Sequence, residues 1–151
     1  MPDSARLIEN LLHLYAERID AGDFGGVAEL FRHGRIEPSP DAGGRDAVVG
    51  SDAVLAMYRS SVRLYDGVPR TRHLISNAII EVEEGDRHAA ARSSYVVFQQ
   101  APEQRLQPII SGRYEDTFHR PEGAWTFEAR KMRVDLVGDL SHHLLFDLQK
   151  N

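Results

Sequence analysis

The chain has 151 residues, of which 42% are hydrophobic and 27% charged, and it contains no cysteine. This length and composition predict a single domain spanning residues 1–151, large enough to bury a core without the help of disulfide bonds. The net charge of -5 argues against nucleic acid as a partner, because nucleic-acid binding rests on Lys and Arg side chains that meet phosphates.

Apolar residues at helical spacing predict that the first part of the chain, residues 5–66, is mainly helical. Ser4 is a candidate N-cap for the first helix, and Gly22 suits the left-handed position that often closes a helix. The inward face of this helix is predicted to carry Leu7, Ile8, Leu11, Leu12, Tyr15 and Ile19.

A second, short helix is predicted to start at Phe24, and a third after Ser51-Asp52. Between them, residues 34–50 are rich in Pro, Gly and Asp, which predicts a loop with one short strand at residues 35–37. The inward residues of the two helices are predicted to be Phe24, Val27, Leu30, Phe31, Val54, Leu55, Tyr58, Val62 and Tyr65.

Residues 72–137 are predicted to form four long strands, because β-branched and aromatic segments alternate with short turn sequences. Short links predict an antiparallel meander, and helices followed by strands indicate an α+β fold. Polar and apolar residues mix on both faces of the strands, so we expect both faces to be covered, one by the helices and one by a second subunit. A homo-oligomer, dimer or trimer, follows as a hypothesis. The predicted strands are His73–Glu83, Ala89–Gln99, Leu106–His119 and Trp125–Val137.

Two further segments carry charge or apolar residues without a clear function. The arginines at residues 130–133 are flanked by Glu128 and Asp135, which favours a mixed, solvated strand face over a phosphate site. Residues 140–148 are predicted to form a short amphipathic segment that caps a pocket or packs on a neighbouring subunit.

Charged residues interrupt the first ten positions too early for a signal sequence, and no apolar run approaches the roughly 20 residues needed to cross a bilayer. We therefore expect a cytoplasmic protein without a membrane partner. No pair of the seven histidines has the spacing of a metal motif, and no phosphate loop or dinucleotide fingerprint is present. These observations predict neither a metal nor a cofactor.

The order of helices, strands and motifs resembles the nuclear transport factor 2-like (NTF2-like) superfamily, in particular its SnoaL-like branch that includes scytalone dehydratase. The resemblance rests on residues 15–24, 70–77, 112–118 and 123–125, which together span most of the chain. It implies a cystatin-like cone in which three N-terminal helices pack on a curved antiparallel sheet around a small apolar pocket.

The resemblance also implies a catalytic pair. In scytalone dehydratase-like proteins the cavity contains a histidine supported by an aspartate, and the matching positions are His73 and Asp20. An aromatic residue on the first helix is matched by Tyr15. The pattern departs at Phe98 and Pro38, where the family has a second catalytic histidine and a catalytic tyrosine.

A histidine backed by a carboxylate is a competent general base near neutral pH. In a water-poor pocket, the His73–Asp20 pair would remove a proton beside a carbonyl and return it elsewhere. Dehydration, isomerisation and aldol-type cyclisation are all open to such a pair. The alternative is a histidine at a strand start that is bonded to the backbone and has no chemical role.

Other residues are expected to bind the substrate or to shape the pocket. Tyr114 or Tyr58 would donate a hydrogen bond to a developing enolate oxygen, unless both are simply wall residues. Asn77 shares the face of His73 and would hold a carbonyl or bridge to a neighbouring strand. The candidate pocket walls, which are core residues in the alternative interpretation, are Phe98, Val96, Val54 and Leu55.

Three functions therefore remain open. The first is a cofactor-free lyase or isomerase acting on a small cyclic or aromatic carbonyl compound. The second is a non-catalytic module that binds a small apolar or aromatic molecule. The third is a structural subunit, because the 72–73 and 112–114 segments also resemble the β chain of aromatic-ring dioxygenases.

Overall fold

The computed structural model describes residues 3–39 and 45–147, with three helices and six strands. The four long strands begin and end within two residues of their predicted limits. In chain order the elements are α1 (Ser4–Asp20), α2 (Phe24–Glu29), β1 (Arg35–Glu37), β2 (Val48–Val49), α3 (Ser51–Ser61), β3 (Thr71–Val82), β4 (His88–Gln99), β5 (Gln107–His119) and β6 (Thr126–Val137).

All six strands form one sheet, in the order β2-β1-β6-β5-β4-β3. Strands β3 to β6 pair antiparallel with their neighbours, as the predicted meander requires. The expectation of a wholly antiparallel sheet is wrong at β1, which pairs parallel with β6. Parallel neighbours need a long connection, and α3 with β3 to β5 supplies it between these two strands.

The first helix begins one residue earlier than expected. Asp3 is its N-cap, since one carboxylate oxygen accepts a hydrogen bond from the Arg6 amide at 2.7 Å, so the prediction of Ser4 as the cap is wrong. Asp and Ser cap helices about equally well, and the sequence alone does not choose between adjacent candidates. At the other end, Gly22 has φ 74, which is the predicted left-handed conformation.

The helices lie against one face of the sheet, here called the inner face. Every second residue of β4, from Ala89 to Gln99, is buried, and α1 packs along β3. On the outer face, Arg113 pairs with Asp135, and Leu136 is 69% exposed. Arg113 is therefore a surface group, while the homo-oligomer remains a prediction.

No helix within residues 3–39 and 45–147 is long and apolar enough to span a membrane. The same part of the chain contains no group of three or more His, Cys, Asp or Glu side chains arranged to hold a metal ion.

Gly112 on β5 allows a close approach between two strands. The Tyr95 side chain crosses over this glycine, and its hydroxyl donates to the Arg133 carbonyl at 2.9 Å. A Cβ at Gly112 would lie 2.6 Å from the Tyr95 hydroxyl and would collide with that carbonyl oxygen. This part of the inner face therefore depends on the absence of a side chain.

We predict that G112A lowers the free energy of unfolding by about 1–3 kcal/mol, because either Tyr95 or the β5–β6 pairing must shift. Urea denaturation measures the change. The control is G25A in α2, where an added Cβ reaches only Asp23 at 3.9 Å and replacement of a helical glycine should stabilise by about 0.5–1 kcal/mol. Equal stability of wild type and G112A would contradict the packing described.

Candidate functional site

His73 and Asp20 meet where α1 ends and β3 begins. His73 Nδ1 lies 2.6 Å from Asp20 Oδ1, and the two side chains are 8% and 13% exposed. The same carboxylate accepts hydrogen bonds from the His73 backbone amide at 2.8 Å and from the Thr71 hydroxyl at 2.9 Å. Because a carboxylate only accepts hydrogen bonds, Nδ1 carries the proton and Nε2 of the neutral ring is left as an acceptor.

The local structure explains why an aspartate stands at this position. A carboxylate in the last turn of a helix is disfavoured by the helix dipole. Asp20 offsets that cost by satisfying the start of β3, an edge strand whose backbone groups have no further strand beside them. The pair thus ties α1 to the sheet and also orients the imidazole.

The pair opens on a groove of about 580 Å³ between α1 and β3, at the free edge of the sheet. This placement differs from the expected one, a closed apolar pocket inside the cone. The lining residues are His13, Ala16, Glu17, Asp20, Ala21, Arg72, His73, Leu74 and Ile75.

The inside of the cone holds a buried cation instead. Arg130 on β6 is 0% exposed and donates two hydrogen bonds to Asp116 on β5, at 2.8 and 2.9 Å. Its guanidinium carbon lies 3.7 Å from the ring centre of Tyr114 and 4.2 Å from that of Tyr15. The Tyr15 hydroxyl in turn hydrogen-bonds the hydroxyl of Tyr58 on α3. We call Arg130, Asp116, Tyr15, Tyr58 and Tyr114 the arginine cluster.

The prediction that residues 130–133 form a solvated strand face is wrong for Arg130 and agrees with the structure for Arg133. A register shift between β5 and β6, next to Phe118, sets Arg130 opposite Asp116 on the inner face. Arg133 points outward and pairs with Glu115. One signal in the sequence would have found the buried pair: Asp116 falls on the same strand face as two large aromatic residues, and a carboxylate there requires a cationic partner.

Burial governs the electrostatics of the arginine cluster. It raises the pKa of the Tyr15, Tyr58 and Tyr114 hydroxyls, so all three are protonated at neutral pH. Burial alone would lower the pKa of Arg130, but the charge of Asp116 and its hydrogen bonds raise it above the usual value. The cluster therefore contains one ion pair and a group of neutral phenols.

His143 is a residue that the sequence did not single out. It follows β6 in the segment of residues 138–146, is 8% exposed, and its Nδ1 has no hydrogen-bond partner among the described residues. Burial lowers its pKa to about 4, and the neighbouring His73 adds to this shift, against a smaller opposing effect of Asp20. The predicted amphipathic segment of residues 140–148 includes this position, but its pattern does not indicate which of the adjacent His142 and His143 is buried.

A family model described as a SnoaL-like domain matches residues 3–131. The chain belongs to the SnoaL-like domain family. A search of curated proteins finds no match.

Solved structures share the fold of this SnoaL-like domain. A Mycobacterium tuberculosis protein of unknown function has 25% identity and a TM-score of 0.69, over 88% of this chain and 72% of its own. A candidate scytalone dehydratase from Novosphingobium aromaticivorans has 22% identity and a TM-score of 0.68, with 89% and 86% covered. The β subunit of a candidate aromatic-ring-hydroxylating dioxygenase from the same organism has 22% identity and a TM-score of 0.67, with 91% and 94% covered. An NTF2-like protein with a cystatin-like fold from Novosphingobium aromaticivorans has 21% identity and a TM-score of 0.69, over 86% of this chain and 80% of its own, and it supports the expected cystatin-like, NTF2-like fold.

In this SnoaL-like domain, the residues that the sequence predicts for one site lie in different parts of the structure. His73 lies opposite Val97 on β4, and Tyr114 lies opposite Ser93, so the two positions differ by four residues, or roughly 13 Å, along that strand. Tyr15, Tyr58 and Tyr114 belong to the arginine cluster, and Val54 is a fully buried core residue of α3.

Of the other two predicted residues, Phe98 lies away from both groups, and Asn77 lines a groove of about 230 Å³ together with Tyr114. Phe98 sits between the buried residues Val97 and Gln99, so it points to the outer face of the sheet. Asn77 is exposed, with φ 54, at the irregularity where the register between β3 and β4 shifts. The expectation that these side chains line one pocket with His73 did not allow for the bulge in β3 or for the inward position of Val97.

We predict that R130M destabilises the SnoaL-like domain by about 3–5 kcal/mol, because it leaves the Asp116 carboxylate buried without a partner. R133M is the matched control three residues further along β6. It removes an exposed ion pair with Glu115 and should cost less than about 1 kcal/mol. Urea denaturation of both variants measures the two changes in the free energy of unfolding. Equal losses of stability in R130M and R133M would contradict the burial assigned to Arg130.

We also predict that acid destabilises the protein through His143. Its pKa is about 4 in the folded state and 6.5 without burial, so the folded state binds fewer protons between these values. Stability is therefore complete above pH 6.5 and falls as the pH decreases toward 4, by roughly 2–3 kcal/mol at pH 4.5. His73 and Asp20 are the other titratable groups that influence this imidazole.

The variant H143F isolates that contribution, since carboxylates also contribute to acid denaturation. Between pH 7.5 and 4.5, the unfolding free energy of wild type should fall by roughly 2–3 kcal/mol more than that of H143F. The unfolding free energy of H142N should fall by the same amount as that of wild type. An equal fall in wild type and H143F over this range would rule out the neutral, buried state of His143.

Proposed function

We propose that this SnoaL-like protein is a cofactor-free lyase or isomerase in which His73 is the general base and Asp20 orients it. The observation that supports this proposal is the 2.6 Å contact between His73 Nδ1 and Asp20, beside a groove of about 580 Å³. The contact leaves the lone pair on Nε2 free to accept a proton. The substrate class is a small cyclic or aromatic compound with a carbonyl group.

The proposed reaction needs only one imidazole for its proton transfers. His73 Nε2 takes a proton from the carbon beside the carbonyl, and the C–H electrons form a carbon–carbon double bond as the carbonyl oxygen becomes an enolate. The imidazolium then returns the same proton. Where the substrate has a double bond between its β and γ carbons, delivery to the γ carbon gives the conjugated isomer as the carbonyl re-forms. Delivery to a departing β-hydroxyl group breaks the C–O bond and releases water as the carbonyl re-forms.

Asp20 contributes by holding the ring and by stabilising the imidazolium that forms. Proton transfer by a positioned side chain typically contributes 10²–10⁴-fold to a rate. Tyr58 and Tyr114 are committed to the arginine cluster, and we assign them a structural part in the proposed enzyme. The candidate scytalone dehydratase with this fold agrees with the reaction class but does not define the substrate.

A second candidate is a non-catalytic subunit or binding module. It is favoured by the three hydrogen bonds that Asp20 accepts from β3, since these bonds alone explain the pair as a clamp between α1 and the sheet. The similarity to a dioxygenase β subunit points the same way. In that case the histidine would hold structure without moving protons.

We predict that wild-type protein catalyses hydrogen–deuterium exchange at the carbon beside the carbonyl of 1-indanone, a small bicyclic ketone, in D₂O at pH 7.5. Proton NMR follows the loss of this signal. H73Q should abolish the catalysed exchange, and D20N should slow it by about 10²-fold or more. H88Q, which changes an exposed histidine at the start of β4, is the control and should retain the wild-type rate.

Thermal unfolding separates the two candidates. Exchange no faster with wild type than with H73Q, across 1-indanone, cyclohexanone and 1-tetralone, would reject the general-base proposal. If Tm also falls by several degrees in both H73Q and D20N, the clamp interpretation replaces it.

A further inference from the structure

The outer face of the sheet presents an apolar row that crosses all four long strands. In the register of the sheet, Leu74 on β3 lies beside Val96 on β4, which is followed by Ser111 on β5 and Leu136 on β6. Leu74 is 51% exposed and Leu136 is 69% exposed, although a sheet face that meets only water usually carries polar residues. Such a row is typical of a surface that contacts another protein.

Two residue pairs further along the strands, the same face is charged. Arg92 on β4 lies opposite Glu115 on β5, and Glu115 lies opposite Lys131 on β6. Glu115 forms an ion pair with Arg133. Arg92 is exposed and has no ion-pair or hydrogen-bond partner for its side chain among the described residues. The face therefore combines apolar groups, charges of both signs and one unpaired cation.

The size of this face matches that of a protein–protein interface. Its four long strands contain 12 or 13 residues each. At a spacing of about 4.8 Å between strands and a rise of about 3.3 Å per residue, they present roughly 750 Å². A stable complex buries about 800 Å² on each partner, so the face supplies nearly the whole area that a dimer needs.

We propose that the outer face binds a second copy of this chain, with the twofold axis of the dimer parallel to the strands and between β4 and β5. This axis places β3 over β6 of the second copy and β4 over its β5. Leu74 then faces Leu136 of the second copy, and Arg92 faces its Glu115. Both contacts occur twice, because a twofold interface is formed by the same surface on each copy.

The charge pattern selects this axis. An axis perpendicular to the strands, through the apolar row, would set Arg113 over Pro108 of the second copy and would bring no carboxylate to Arg92. The parallel axis sets leucine against leucine and a cation against an anion, so the contacts of both kinds are favourable. The inference is independent of the proposed reaction, since neither His73 nor Asp20 takes part in it.

Sedimentation equilibrium of the wild-type protein at pH 7.5 tests the proposal, and we expect a mass of twice 17.0 kDa. L136R should weaken the dimer at least tenfold, because it sets a charge against Leu74 of the second copy. Leu136 is changed rather than Leu74, which also lines the groove beside His73. The matched control is L64R, which changes a leucine that is 41% exposed after α3, and it should dimerise as wild type does. Circular dichroism checks that both variants fold.

Two charge reversals test the axis. R92E places like charges at both contacts of its own dimer, as does E115R, so each variant alone should associate at least tenfold more weakly than wild type. An equimolar mixture of the two should recover the dimer, because the acidic side chains of one variant then meet the basic side chains of the other. A wild-type mass of 17.0 kDa, or a dimer that L136R leaves intact, overturns the proposal, as another occupant would then cover the face. A mixture no more associated than its two components overturns the proposed axis.

Discussion

The ion pair between Arg130 and Asp116 determines how the inside of the cone is organised. A fully buried guanidinium is tolerated only if its charge and its N–H groups find partners. Two of its nitrogens bond the carboxylate, and the third faces an enclosure of aromatic rings without a partner in the described part of the chain. Those rings come from α1, β5 and β6, and Tyr58 on α3 joins them through Tyr15. One cation therefore connects the helices to the sheet.

This organisation moves the candidate chemistry to the other end of the inner face. The arginine cluster lies among the buried residues in the middle of the inner face, and the His73–Asp20 pair lies near the first residues of β3. The His73–Asp20 pair lies there because α1 ends at Asp20. The segment that follows β6 hydrogen-bonds residues 61 and 63, at the end of α3. The proposed site is therefore formed by the end of α1 and the start of β3.

Sequence reasoning succeeded where a local pattern determines the structure. Periodic apolar residues gave the helices, and turn residues between β-branched segments gave the four long strands. The parallel pairing of β1 with β6 could not be predicted, because the sequence of a three-residue strand does not indicate which strand it pairs with. The inward turn of Arg130 depends on a one-residue register shift, which alternation along β6 alone cannot reveal. The joining of His73 and Asp20 came from the family resemblance, because nothing local links residues 53 positions apart.

The Arg130–Asp116 pair and the His73–Asp20 pair of this SnoaL-like domain differ in their access to solvent. In the arginine cluster, nearly every donor has a carboxylate oxygen or an aromatic face, so its free-energy cost is offset inside the fold. The side chains of His73 and Asp20 are 8% and 13% exposed, and both residues line the groove between α1 and β3. Under the proposed function the chemistry lies at the first residues of β3, away from the arginine cluster, because Asp20 orients the His73 ring there.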